Sequence, residues 1–78
     1  MNEEQRLRAF LQDRFPGFDE DFDAEAELSG IVDSLALFDV VEFVERDFGV
    51  DVPTAEFSPL KFSSIRRILD FVEELRSP

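Results

Sequence analysis

Asp33 and Ser34 interrupt the apolar stretch Gly30-Ile31-Val32-Asp33-Ser34-Leu35 and stand directly ahead of a second apolar run, residues 35–48. Two kinds of chemistry suit that pair. Either side chain can accept hydrogen bonds from the free N–H groups of a helix's first turn. Alternatively, the serine hydroxyl is an acceptor that another protein modifies. A hydrolase-type nucleophile is excluded, because it needs a base beside the serine and the chain has no His and no Cys. A strand-turn-helix elbow is also missing.

The run after Ser34 has helical spacing. Leu35, Phe38, Val41 and Phe48 are assigned to one face, and Leu37, Val40 and Val44 widen it. Gly49 stands where a helix would stop. A helix over residues 34–48 follows, about four turns long. It puts Ser34 at its solvent-side mouth, with Leu35 anchoring the turn. The helix surface is acidic, with Asp39, Glu42, Glu45 and Asp47 relieved by Arg46, and Glu42 can pair with Arg46 one turn on. The apolar stripe is too broad for full burial in a small bundle. Leu37 and Phe43 are therefore weighed as docking residues beside the acids, against plain core packing.

The remaining elements hold this helix. Residues 3–15 read as a first helix with Leu7, Phe10, Leu11 and Phe15 inward, Glu3 and Glu4 at its positive end, and Pro16-Gly17 as its stop. Residues 16–33 form a long connection, tacked to the core by Phe18, Phe22, Leu28 and Ile31, with an added turn expected over residues 24–28. Its Asp19-Glu20-Asp21-Phe22-Asp23 run alternates acids. Counted from Asp19, it lacks the glycine and glutamate of a calcium loop, so no dedicated metal site is expected. Gly49 through Glu56 make a second connection, extended at Asp51-Val52-Pro53. Ser58-Pro59 starts a short helix that holds Leu60 and Phe62, beside a core plug at Phe57. Ser63 or Ser64 caps a last helix, with Ile65, Ile68, Leu69, Val72 and Leu75 inward and Phe71 flanking. Arg66, Arg67 and Arg76 are read as solvated or paired, and Ser77-Pro78 as a frayed end.

Seventy-eight residues make a single domain, residues 1–78, with a modest core. Its aromatic residues are ten Phe, with no Trp or Tyr, which points to core filling rather than polar recognition. Nineteen acids against eight bases give a net charge of −11, the wrong sign for nucleic acid and the right one for partners with Arg or Lys patches. No signal peptide or membrane span is expected, and a cytoplasmic monomer fits. Composition and periodicity equally fit a non-catalytic acidic helical adaptor for protein–protein interaction. Acid–base catalysis by Asp and Glu fits poorly, since they form a diffuse surface set.

From Leu7 to Leu75 the chain resembles the acyl carrier protein family. The likeness is sharpest at Gly30-Ile31-Val32-Asp33-Ser34-Leu35, which looks like the family's Asp-Ser-Leu attachment motif, followed by Phe48-Gly49-Val50-Asp51-Val52-Pro53. The resemblance implies an all-α, acyl-carrier-like four-helix bundle with three long helices and one short one. It implies a covalent 4'-phosphopantetheine on Ser34, delivered from coenzyme A by a phosphopantetheinyl transferase, with Asp33 helping to position that enzyme and its metal. It further implies a thioester-linked acyl or aminoacyl cargo, loaded by an adenylating ligase and passed to an acyltransferase or synthase. The carrier itself would not be an enzyme. Leu35, Leu37, Asp39, Glu42 and Glu45 are the expected partner face. The segment from Val52 to Ser64 looks most like D-alanyl and free-standing aminoacyl carriers. Ala36 stands where fatty-acid carriers usually have an acid, and Val32-Asp33 where assembly-line peptidyl carriers tend to have Gly-His.

Overall fold

The computed structural model describes residues 2–19, 21–53, 55 and 57–76. Glu20, Thr54, Glu56 and the frayed end expected at Ser77-Pro78 lie outside the described residues. Three helices of twelve residues each carry the fold: α1 (Glu3–Arg14), α2 (Leu37–Phe48) and α3 (Ile65–Arg76). A 3-10 helix, Pro59–Phe62, precedes α3. The described residues contain no strand. This is the all-α bundle with three long helices and one short one that the sequence leads one to expect.

α1 opens with a reciprocal cap: Asn2 Oδ1 accepts from the Gln5 N–H, and Gln5 Oε1 accepts from the Asn2 N–H. It packs against both α2 and α3. Leu7 and Leu11 are fully buried between them, beside Val44 of α2 and Ile65, Ile68 and Val72 of α3. Phe71 is fully buried too, so it belongs to the core rather than to its flank.

α2 begins later than expected and faces differently. Residues 34–36 form a turn, and the helix starts at Leu37. Its buried residues are Val40, Phe43, Val44 and Phe48, with Leu37 and Val41 partly buried. Spacings of three and four from Leu37 give a narrow stripe over 37, 40, 41, 44 and 48; Phe38 falls about 100° to one side of it, and Leu35 lies in the turn ahead of the helix. Leu35 (81% exposed) therefore does not anchor the turn, and Phe38 (62% exposed) does not join the core face. Phe43 is buried because α1 supplies a partner: its ring stacks on Phe10 at 4.2 Å.

The C-terminal end of α2 is closed by a glycine stop and two arginine side chains. Gly49 has φ of +67°, the left-handed conformation of a helix stop. Two guanidinium groups converge on the last turn. Arg6 donates to the Asp47 carbonyl at 2.7 Å and Arg76 to the Phe48 carbonyl at 2.9 Å. Both cations lie over the Phe48 ring, and they complement the negative helix end. Arg76 also pairs with Glu3, whose hydrogen bond raises the guanidinium pKa further above its ordinary value.

The long connection is a series of turns. Asp19 and Asp23 turn their carboxylates onto the N–H groups of Asp21 and Glu25 at 2.9 and 2.7 Å. The dense aspartates thus shape local turns. The extra helical turn falls later than residues 24–28. Ile31 and Val32 N–H both donate to the Leu28 carbonyl, which turns Leu28 and Val32 into the core. Ser58 caps the 3-10 helix through the Leu60 N–H, and Ser64 caps α3 through the Arg67 N–H. Phe62 is buried, whereas Leu60 (58% exposed) is not held in the core.

Two predictions follow from this packing. Leu11→Ala deletes a fully buried side chain and should cost about 2–5 kcal/mol in urea unfolding, a large share of the stability of so small a domain. Gly49→Ala meets no atom within 4 Å, so its cost is backbone conformation alone, about 1 kcal/mol. That should lower Tm by roughly 4–8 °C.

Candidate functional site

Asp33 and Ser34 fall in the turn between the long connection and α2, and their roles separate there. The Asp33 carboxylate accepts from the Ala36 N–H at 2.8 Å, and its carbonyl accepts from the Leu37 N–H at 3.0 Å. Asp33 is thus the residue that closes the first turn. Ser34 is exposed, and its hydroxyl makes no hydrogen bond among the described residues. Asp33 thus caps the turn over residues 34–36 that leads into α2, whose own N-cap, Ala36, has no side-chain cap, and Ser34 is left free among the described residues. The backbone N–H groups of Ser34 and Leu35 likewise donate to no acceptor among the described residues. A free hydroxyl beside two free N–H groups is a setting that an anionic oxygen could satisfy.

Ser34 stands at the edge of an open cleft of about 620 Å³. One wall comes from the connection and the start of α2, through Leu28, Val32 and Leu37. The other comes from the 3-10 helix and α3, through Leu60, Phe62 and Arg67. Backbone hydrogen bonds set the spacing of the walls: Leu28 N–H to the Ser63 carbonyl at 2.8 Å, and Arg66 N–H to the Ala24 carbonyl at 2.9 Å. The cleft is apolar at its floor and carries Glu27, Asp33 and Arg67 on its lining.

The five residues expected on the partner face are placed unequally. Leu35 is exposed beside Ser34, and Leu37 is partly buried and lines the cleft. Glu42 is exposed and pairs with Arg46 at 3.2 Å. Asp39 is drawn toward α1 by Arg14 at 2.8 Å. Glu45 is partly buried and accepts from the Val52 N–H at 2.9 Å, which tethers the second connection. The outward surface next to Ser34 is more apolar than expected, because Phe38 and Leu60 join Leu35 there. Phe38 also lies 6.0 Å from the Phe57 ring, roughly parallel to it. The signal for Phe38 was its phase against the 37/40/41/44/48 stripe. For Arg67 it was position, since a cation in the first turn of a helix opposes the macrodipole.

Among the described residues no group of His, Cys, Asp and Glu is arranged to hold a metal ion, and no helix is long and apolar enough to cross a membrane.

The chain matches no protein-family model. It is similar to the D-alanyl carrier proteins of Streptococcus pyogenes serotypes M5 (strain Manfredo), M49 (strain NZ131) and M1. Identity to each is 34% over 70 residues, covering 88% of this chain and 82% of the relative. With that identity, over that share of an all-helical frame, the chain belongs to the carrier-protein family.

Proposed function

We propose that this chain is an acyl or aminoacyl carrier whose Ser34 accepts 4'-phosphopantetheine from coenzyme A. The observation that carries the reading is the division of labour at the turn: Asp33 caps, and Ser34 keeps an exposed hydroxyl with no partner among the described residues. In the transfer, Ser34 Oγ attacks the pantetheine-bearing phosphorus and gives up its proton. The bond to the 3',5'-ADP leaving group breaks as the new P–O bond forms. A phosphopantetheinyl transferase supplies the base and metal. The free N–H groups of Ser34 and Leu35 suit the resulting phosphodiester. Once bound, the arm supplies a terminal thiol that carries the cargo as a thioester.

The rest of the chain serves recognition. Leu35, Phe38 and Leu60 form an apolar surface around Ser34, and Glu42 and the wider net charge of −11 attract basic partners. Brief docking suits a carrier that visits an adenylating ligase and then an acyltransferase or synthase, and charge steering speeds encounter without tight binding. The similarity to D-alanyl carriers and the Val52–Ser64 segment favour a small aminoacyl cargo. The protein acts in the cytoplasm as a monomer and as a handle, not as an enzyme.

Intact mass after incubation with coenzyme A, magnesium and a broad-specificity transferase should show one phosphopantetheine adduct on the parent and none on folded Ser34→Ala. An unmodified parent, with a known carrier modified in the same tube, would leave the chain an acidic adaptor. Docking is tested on the holo protein with its loading ligase. Glu42→Lys should lower kcat/KM several-fold at low salt and much less at high salt, as screening shortens the Debye length to about 3 Å at 1 M. Phe38→Ala should lower it at both salt concentrations, because an apolar contact is not screened.

A further inference from the structure

The chain holds eight cations against nineteen acids. Seven of the eight are in ion pairs: Arg6, Arg8, Arg14, Arg46, Lys61, Arg66 and Arg76. Arg67 is the exception. Its guanidinium has no ion pair and no hydrogen bond among the described residues, although acids outnumber bases more than two to one. It sits in the first turn of α3, where the helix macrodipole disfavours positive charge and no acid shares the turn; Asp70, three residues on, makes no ion pair with it. It lines the same cleft as Ser34.

A solvated surface arginine would account for exposure alone. It would not account for an arginine that, alone among the described Lys and Arg, has no ion pair and stands at an unfavourable helix position in the wall opposite Ser34. Local acids do not satisfy it either: Glu27 and Asp33 share the cleft, but neither comes within ion-pair distance of Arg67.

We infer that Arg67 is the seat for the phosphodiester of the Ser34-linked arm, holding the arm's first segment in the cleft between encounters. This rests on the carrier reading above. The planar guanidinium can present two parallel N–H groups to two phosphate oxygens, a geometry that lysine lacks. The phosphate would then meet the Ser34 and Leu35 N–H groups on one side and Arg67 on the other. Arg67 is assigned a binding role, with no part in forming or breaking the phosphodiester.

The test compares apo and holo forms of the parent, Arg67→Gln and Arg67→Lys, each checked first by intact mass. In the parent at low salt, holo formation should shift the Arg67 Nε–Hε NMR resonance and raise Tm by a few degrees. The Tm gain should vanish in Arg67→Gln, persist in part in Arg67→Lys, and fade in 1 M salt. The phosphorus resonance of holo protein should also move on Arg67→Gln. Absence of an adduct on the parent removes both the carrier reading and this inference. An adduct that leaves the Arg67 resonance unchanged overturns the inference alone, even if Arg67→Gln proves too unstable to use. A response seen only after loading a carboxylate-bearing cargo also overturns it, by assigning Arg67 to the cargo.

Discussion

The Leu28 N–H donates to the Ser63 carbonyl, and the Arg66 N–H donates to the Ala24 carbonyl. These bonds fasten the long connection to the start of α3. The connection has no regular helix to organise it, and only Leu28, Val32 and Phe18 bury fully enough to hold it by packing. Without the bonds to α3 it would have apolar anchors but no register. With them, the turn at Leu28–Val32 is fixed against the 3-10 helix. The walls of the cleft then follow, and with them the place where Ser34 meets solvent. Arg8 adds a third tie by donating to the Phe22 carbonyl at 2.6 Å.

A second constraint operates at the far end of α2. Arg6 comes from α1 and Arg76 from α3, and both end on the last carbonyls of α2 above the Phe48 ring. One helix end therefore collects all three long helices. Fully buried Leu7, Leu11, Val44, Ile68 and Val72 fill the space between. The end at Ser34 is built differently, from turns, exposed apolar side chains and an open cleft. The stable closure and the adaptable surface sit at opposite ends of the same helix.

Much of this was legible in the sequence. The helices, the Gly49 stop, the Ser58-Pro59 start and a serine cap at 63 or 64 each have a local signature and occur in the structure, the cap falling on Ser64. The errors lie where local spacing does not decide the outcome. Leu35 and Phe38 fit a core face by spacing because they share Val41 and Phe48 with the stripe that begins at Leu37. Only the position of α1, and its Phe10, decides which stripe is buried. The added turn was placed over residues 24–28 because the bonds that fix it, from Ile31 and Val32 to Leu28, depend on the docking of the connection. At the site, the Asp33–Ser34 pair was visible, but which of the two caps was not. Nothing in the sequence sets Arg67 apart from a solvated arginine, because the pairing of the other seven cations depends on tertiary contacts.

The allotment of the cap to Asp33 has a consequence for how the molecule conveys its state. Esterifying Ser34 would break no bond that holds the turn, since the turn already closes through its neighbour. The backbone of that turn is thereby the same whether the serine is bare or derivatised. A partner that must distinguish the forms would find little difference in the backbone, and would have to sense the appendage itself. The direction of traffic would be set by the enzymes that meet the carrier and by what the arm itself touches on the protein.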